Sequence, residues 1–168
     1  MTVDQAFTQA LEYETRIRDQ YLEAAADAIV PEARTFFETL ARDEASHVAY
    51  IAHKLEQWKG SGAMSYEGLA AGLPEPGRLA AAIAKAASSF TAIAEGGHNA
   101  ALSNALRAER ETSAFYRSLV GELPGAAADV FARLLEIEDG HTAIVQAELD
   151  LVTGTGHWFD LRVFDMEE

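Results

Sequence analysis

Two copies of the motif Glu-x-x-His supply the side chains that could do chemistry in this chain. The first copy holds Glu44 and His47, the second holds Glu138 and His141, and both lie in stretches with helical apolar periodicity. Because residues i and i+3 lie on one face of an α-helix about one turn apart, each pair can contact a common ion. One such pair usually lies on a solvated helix face, but a repeated pair favours a metal site.

An internal repeat relates the two motifs and adds further residues to each. In each half of the chain, a helical stretch before the motif carries one glutamate on its apolar stripe and a tyrosine two turns later. These residues are Glu14 and Tyr21 in the first half, and Glu109 and Tyr116 in the second. The repeat therefore predicts four helices whose four carboxylates and two imidazoles converge at one level.

Four glutamates at one level of a dry core would be unstable without cations. An ionised carboxylate left unpaired in the interior costs several kcal/mol, and the four charges also repel one another. The 13 Lys and Arg residues fall mostly off the apolar stripes, whereas two divalent ions would neutralise the four carboxylates. Carboxylate and imidazole ligands without thiolate are typical of iron or manganese sites, and zinc can also occupy them.

The elements that position these residues are helices. Apolar periodicity and turn residues predict helices at residues 3–28, 31–59, 98–121 and 126–152. Pro31 ends helix 1 and begins helix 2, so a short turn makes these two helices antiparallel neighbours. The glycine-rich residues 60–97 predict a long crossover between helices 2 and 3. Within it, residues 78–94 form either a separate short helix or an early part of helix 3.

Two assignments depend on the phase of the helical stripes. In helix 1, Glu12 could face inward instead of Glu14, and in helix 3, Glu111 could face inward instead of Glu109. The spacing to the two tyrosines favours Glu14 and Glu109. His98 lies outside the repeat and is expected on the surface.

Composition excludes several classes of function. A chain of 168 residues with 49% apolar residues favours one domain with a core, and a formal net charge of −14 argues against nucleic-acid binding. The absence of Cys excludes disulfides and thiolate metal sites. No apolar run is long enough for a membrane span, and the N-terminus lacks the features of a signal peptide. We therefore expect a soluble cytoplasmic protein without membrane or nucleic-acid partners.

Residues 5–152 resemble the rubrerythrin-like and bacterioferritin-like di-iron proteins of the ferritin-like superfamily, and the resemblance implies an all-α ferritin-like four-helix bundle. It implies three pairs of metal ligands: the terminal glutamates Glu14 and Glu109, the bridging glutamates Glu44 and Glu138, and the histidines His47 and His141. Tyr21 and Tyr116 match the family's tyrosines that hydrogen-bond carboxylate ligands across the site. Two iron ions per chain are implied, with manganese or zinc as alternative occupants.

The resemblance also implies an oxidoreductase that reduces hydrogen peroxide or dioxygen at the di-iron site. Rubrerythrins usually carry a cysteine-ligated rubredoxin module, which a chain without Cys cannot hold, so an external donor protein must supply the electrons. Where rubrerythrins place a further glutamate one turn after the terminal ligand of helix 3, this chain has Thr112. The site is therefore closer to the plain six-ligand set. The long crossover resembles that of rubrerythrin-like dimers and implies a homodimer.

Two other functions are alternatives at the level of sequence. The first is a ferroxidase whose product leaves the site for iron storage or transfer. The second is a helical interaction module without metal. Beyond the bundle of residues 1–152, we expect Trp158, Phe159 and Phe164 of the tail, residues 153–168, to pack on the bundle or on a partner subunit.

Overall fold

The computed structural model describes residues 1–65 and 98–154, and these residues form four α-helices and no strand. The helices are α1 (Val3–Asp27), α2 (Pro31–Ser61), α3 (Asn99–Glu122) and α4 (Gly125–Thr153). The predicted all-α class is confirmed, and the predicted helix bounds lie close to the observed ones. The predicted crossover helix at residues 78–94, the crossover beyond residue 65 and the tail beyond Gly154 lie outside the described residues.

Local sequence signals account for several of the helix ends. At the start of α1, the Thr2 hydroxyl accepts a hydrogen bond from the Gln5 backbone N–H, and the Gln5 side chain accepts one from the Thr2 N–H. This reciprocal capping satisfies backbone donors that a helix leaves unpaired. Pro31 occupies the first turn of α2, where its missing N–H is not needed. Gly62 ends α2 with φ +67°, a left-handed conformation that glycine adopts without a Cβ clash.

The helices pack as two consecutive pairs. α1 packs along α2 and α3 packs along α4, and a smaller contact joins α1 to α3. Only Ala28, Ile29 and Val30 connect α1 to α2, which makes the first pair a tight helical hairpin. We refer to α1 with α2 as the first hairpin and to α3 with α4 as the second hairpin.

Two apolar clusters, each built by all four helices, form the core. One cluster includes Phe7, Ile51, Leu119 and Phe131, and the other includes Ile17, Phe37, Leu102 and Val145. In every helix, the predicted metal ligands fall in sequence between residues of one cluster and residues of the other. The polar side chains therefore lie between two apolar layers that exclude water.

None of the helices in the described part of the chain is long and apolar enough to cross a membrane.

Candidate metal centre

All six predicted ligands are buried in the interior between the two apolar clusters. The side chains of Glu14, Glu44, Glu109 and Glu138 are 0% exposed, and His47 and His141 are 5% and 1% exposed. Glutamate is almost never fully buried unless it has a partner or a ligand. Four such residues in one place indicate a function that outweighs their desolvation cost.

His47 brings three of the glutamates together. Its Nδ1 atom lies 3.2 Å from Glu14 Oε2, 3.2 Å from Glu44 Oε2 and 3.2 Å from Glu138 Oε1. One ring nitrogen can donate only one strong hydrogen bond, so three carboxylate oxygens at this distance exceed what His47 can satisfy alone. The site thus has more acceptors than donors.

His141 completes the group from the second hairpin. Its ring is stacked on that of His47, with centroids 5.4 Å apart and an interplanar angle of 20°. His141 Nδ1 lies 2.7 Å from Glu44 Oε1, but the two atoms are not aligned as a hydrogen bond, and neither has another partner. Two lone-pair atoms this close are favourable only with a proton or a cation between them.

Within residues 1–65 and 98–154, one group of side chains has the arrangement of a metal site. Glu44, His47, Glu138 and His141 each offer one ligand atom, and these atoms lie within 4.8 Å of one another. This group joins the two Glu-x-x-His motifs, which come from different hairpins. It could hold a metal ion.

The two predicted tyrosines connect the hairpins through the remaining two glutamates. Tyr21 of the first hairpin donates a hydrogen bond to Glu109 Oε1 of the second, and Tyr116 of the second donates one to Glu14 Oε1 of the first. All four residues are fully buried. The hydrogen bonds are related by the internal repeat and orient each glutamate towards the centre.

Burial and mutual repulsion shift the pKa of most carboxyl groups in the cluster upward. Burial raises the pKa of Glu44 and Glu109 well above the ordinary value, and the charges of neighbouring glutamates raise it further. The same causes raise the pKa of Glu138 to about 7. In Glu14, burial acts in the same direction, but hydrogen bonds from His47 and Tyr116 outweigh it and lower the pKa.

Burial acts on the imidazole of His47 in the opposite sense to the carboxyl groups around it, because a histidine is charged when protonated. Burial lowers its pKa, but the nearby carboxyl groups of Glu138, Glu14 and Glu44 outweigh burial and hold the pKa well above its ordinary value. Protons therefore reduce the negative charge of the cluster when no other cation does so. Metal binding must displace these protons, as it does at other carboxylate and imidazole sites.

The unpaired polar atoms of the cluster fit a metal site. Several buried atoms of the cluster lack a hydrogen-bond partner: Glu44 Oε1, Glu109 Oε2, Glu138 Oε1, Glu138 Oε2, His141 Nδ1 and His141 Nε2. Unpaired buried polar atoms are rare in proteins, and a bound ion is one of the explanations for them. Four carboxylates would balance the charge of two divalent ions, and oxygen and imidazole nitrogen donors suit iron or manganese.

The structure decides the alternatives left open by the helix phase. Glu12 and Glu111 are exposed, so the inward residues are Glu14 and Glu109, as the tyrosine spacing predicted. The prediction for His98 was wrong, because this residue is only 8% exposed and its ring contacts Phe37. Its position just before α3 places it against the hairpin ends, which the stripe pattern of a helix cannot show.

Two buried charged residues, Lys54 and Glu148, were missed in the sequence. They are 2% and 1% exposed, and each follows a motif histidine by two turns at equivalent positions of the repeat. Lys54 is thus an exception to the expectation that cations fall off the apolar stripes. Both oxygens of Glu148 lack a hydrogen-bond partner, and burial raises its pKa to about 7. Extending the repeat by two turns would have found both residues.

The chain matches no protein-family model, and no curated protein and no solved structure matches it significantly.

Proposed function

We propose that this protein is a di-iron oxidoreductase of rubrerythrin type, in which the four-helix architecture is a ferritin-like bundle with a long crossover. It reduces hydrogen peroxide, or dioxygen, with electrons from an external donor protein. In this proposal Glu14, Glu44, Glu109 and Glu138 and the two motif histidines hold two iron ions per chain. The irons supply the redox chemistry, and the protein supplies a fixed, water-poor ligand set.

One observation carries the proposal: four fully buried glutamates and two buried histidines form a repeat-related cluster with more acceptors than donors. A purely structural network would be expected to satisfy its polar atoms. A helical interaction module would have no reason to bury four carboxylates away from its surface. The cluster is therefore better explained by bound cations than by stability.

The chemistry of the substrate fits the position of the cluster. Hydrogen peroxide and dioxygen are small enough to reach a centre that larger molecules cannot enter, and their reduction needs only electrons and protons. Because the centre is buried, the donor protein transfers electrons without direct contact with the ligands. We further propose that the protein acts as a cytoplasmic homodimer.

Metal content and redox spectroscopy test this proposal. The protein is purified without chelators or affinity metals, and iron, manganese and zinc are measured per chain before and after anaerobic reconstitution with ferrous iron. We expect two irons per chain and an absorption band of the oxidised form that disappears on reduction and returns with peroxide. Rapid reaction of the reduced protein with peroxide supports a peroxidase, whereas oxygen-driven oxidation of many iron equivalents would favour a ferroxidase.

A matched pair of variants in α4 tests the ligand assignment. Glu138→Gln removes a buried carboxylate from the cluster, whereas Glu136→Gln changes a side chain that is 66% exposed on the same helix. We expect paired iron binding to be lost in Glu138→Gln and retained in Glu136→Gln. Two tightly bound irons in both variants, or no metal in the reconstituted wild type, would contradict the proposal.

A further inference from the structure

A row of three aromatic rings leads from the candidate metal centre to the protein surface. Tyr116, whose hydroxyl donates a hydrogen bond to Glu14, has its ring centroid 5.8 Å from that of Phe115. Phe115 stacks on Tyr13 of α1, with centroids 4.9 Å apart and an interplanar angle of 14°. Tyr116 is fully buried, whereas Phe115 and Tyr13 are partly exposed. The row thus connects a candidate ligand to solvent through contacting rings.

The other aromatic contact of Tyr116 leads inward. Its ring lies 5.4 Å from that of Phe131, which lies 4.8 Å from Phe7. Both phenylalanines are 0% exposed and belong to the same apolar cluster. Among the described residues, the ring contacts of this branch end at these two buried phenylalanines.

Among the described residues, the second buried tyrosine lies on a branch that contains no other readily oxidised side chain. Tyr21 contacts Phe37 at 6.3 Å, and Phe37 in turn contacts Phe36 and the buried His98. This branch therefore contains no further tyrosine or tryptophan, which are the aromatic side chains most readily oxidised by one electron. Phe36 is partly exposed, so this branch also reaches the surface, but it ends in a phenylalanine, whereas the row from Tyr116 ends in a tyrosine.

The row to the surface breaks the internal repeat. Where the first half has Tyr13 just before its buried glutamate, the second half has Ala108. Where the second half has Phe115 just before its buried tyrosine, the first half has Gln20. The residues of the metal centre are thus duplicated, whereas Tyr13 and Phe115 occur once and contact each other. Packing alone does not require an aromatic pair here, because Ala108 and Gln20 occupy the equivalent positions of the repeat.

The outer end of the row is held in place by charged side chains and is open to solvent. The Arg16 guanidinium lies 4.7 Å from the centroid of the Tyr13 ring, and Arg16 also pairs with Glu111 of α3 at 3.3 Å. The side chains of Arg16 and Glu111 are 47% and 51% exposed. Tyr13 itself is partly exposed, so a redox partner that displaces the exposed Arg16 side chain can approach its ring without any rearrangement of the core.

We propose that Tyr13 is the residue through which single electrons enter the protein, and that they tunnel through the intervening Phe115 ring to Tyr116 beside the buried centre. The inference rests on the proposed function for its oxidant, a peroxide that takes up two electrons and two protons to give two waters. In each transfer, Tyr13 gives one electron inward and its phenolic proton to solvent. A one-electron donor then returns the electron, and solvent returns the proton.

A flash-photolysis experiment on metal-free protein tests the row itself. Photo-oxidised ruthenium tris(bipyridine), with persulfate as electron acceptor, removes one electron from Tyr13 at the surface. Tyr116 then reduces the Tyr13 radical, which takes a proton from solvent, while Tyr116 gives its own proton to Glu14. We expect a long-lived tyrosyl radical by electron paramagnetic resonance, because the buried Tyr116 radical cannot couple with a second molecule.

Variants of the row separate its three members. Tyr13→Phe should abolish the long-lived signal, and Phe115→Leu should decrease it several-fold. Tyr116→Phe should leave a short-lived surface radical and increase the yield of dityrosine. Tyr50→Phe is the matched control, since Tyr50 is a tyrosine outside the row, and it should leave the signal unchanged. Circular dichroism confirms that each variant is folded.

The result also separates this inference from the proposed function. An unchanged long-lived radical in Tyr13→Phe would overturn the role of Tyr13, whatever the iron-loaded protein does. If the row behaves as expected but the iron-loaded protein does not react with peroxide or dioxygen, the oxidoreductase proposal fails and the electron route stands. In reactive iron-loaded protein, Tyr13→Phe should slow reduction by a donor several-fold and leave oxidation by peroxide unchanged.

Discussion

Buried glutamates dominate the properties of single residues in this protein. Those of the candidate centre lie near histidines and tyrosines, whereas Glu148 is buried two turns beyond His141 and neither of its oxygens has a hydrogen-bond partner. In such a position the neutral carboxylic acid is more stable than the carboxylate. Glu148 therefore couples the stability of the fold to pH independently of metal binding.

We predict that Glu148 makes the protein less stable as the pH rises from about 4.5 to about 7. Its pKa is about 7 in the folded state and near 4.5 when exposed, so in this window the unfolded chain loses a proton that the folded chain keeps. Below about pH 4.5, Glu148 does not change the free energy of unfolding. Above about pH 7, it lowers the free energy of unfolding by up to about 3 kcal/mol. Glu148→Gln should remove this loss in metal-free protein.

Chemical denaturation of wild type and variant across this pH range measures the effect. Other titrating groups contribute equally to both proteins, so the difference between their free energies of unfolding isolates Glu148. The exposed Glu23→Gln serves as the control and should follow the wild type. A constant difference between Glu148→Gln and wild type from pH 4.5 to 7 would show that Glu148 is ionised in the folded state.

At the level of helices, the described part of the chain is two hairpins whose ends are determined by local residues. α1 begins at the reciprocal cap formed by Thr2 and Gln5, and this cap lies at the exposed start of the first hairpin. We predict that Thr2→Ala lowers the free energy of unfolding by about 1 kcal/mol, because a backbone N–H loses its acceptor. Thermal or denaturant unfolding by circular dichroism measures this change.

A second substitution distinguishes the cap from a general effect of exposed threonine. Thr39 is also exposed, but its hydroxyl donates to the Thr35 carbonyl within α2, and a helix does not need that bond. Thr39→Ala should therefore be neutral or slightly stabilising. Equal destabilisation by the two substitutions would mean that the cap of α1 contributes nothing specific.

The same local signals explain why the helices could be predicted from the sequence. Pro31 and Pro124 interrupt the helical stripes at points where the chain turns, and the periodic apolar residues continue between the interruptions. The six predicted ligands could be recognised because they are charged or polar residues on an apolar stripe and occur twice. The stripe and the spacing to the tyrosines favoured these residues, and the structure decided between Glu14 and Glu12 and between Glu109 and Glu111.

Tertiary packing determined what the sequence could not show. Lys54 and Leu55 are adjacent on α2, and both are buried. An apolar stripe of ordinary width predicts burial of only one of these two neighbours. The apolar stem of Lys54 can pack in the core. Its ammonium lies over the ring of Tyr50, 5.1 Å from the centroid, which stabilises the charge. His98 is buried and its ring contacts Phe37 of α2. Contacts between hairpins, including Tyr13 with Phe115, have no signal in local periodicity.

For the molecule as a whole, the candidate centre adds to an already large negative charge. The chain carries a formal net charge of −14, so bound cations reduce both the local repulsion in the cluster and the overall repulsion. A cation that binds only the folded state stabilises it by mass action. Metal binding should therefore raise the free energy of unfolding, which can be measured without any assay of redox activity.

We predict that manganous ion raises the melting temperature of metal-free protein. At a concentration 100-fold above its dissociation constant, an ion should add about 3 kcal/mol to the free energy of unfolding. In Glu138→Gln, this gain should be much smaller, while the metal-free variant should be about as stable as the metal-free wild type or more stable, because one repulsive buried charge is gone. Differential scanning calorimetry measures both effects.

Magnesium serves as the control ion, because it prefers oxygen ligands in octahedral geometry and retains water, unlike an ion bound by histidines. Equal stabilisation by magnesium and manganese would indicate a general effect of ionic charge on an acidic protein. Unchanged melting temperatures with both ions would contradict a metal centre in this cluster.

The two tyrosine hydrogen bonds described above both cross from one hairpin to the other, and this has a consequence for how the protein folds. Each hairpin can form from contacts that are local in sequence, which are fast to make. Burial of the glutamates is completed only when the hairpins dock, a step that also closes the long connection between them. Repulsion among the buried glutamates therefore opposes the docking of the two hairpins. Cations in solution should speed this late step and leave helix formation unchanged.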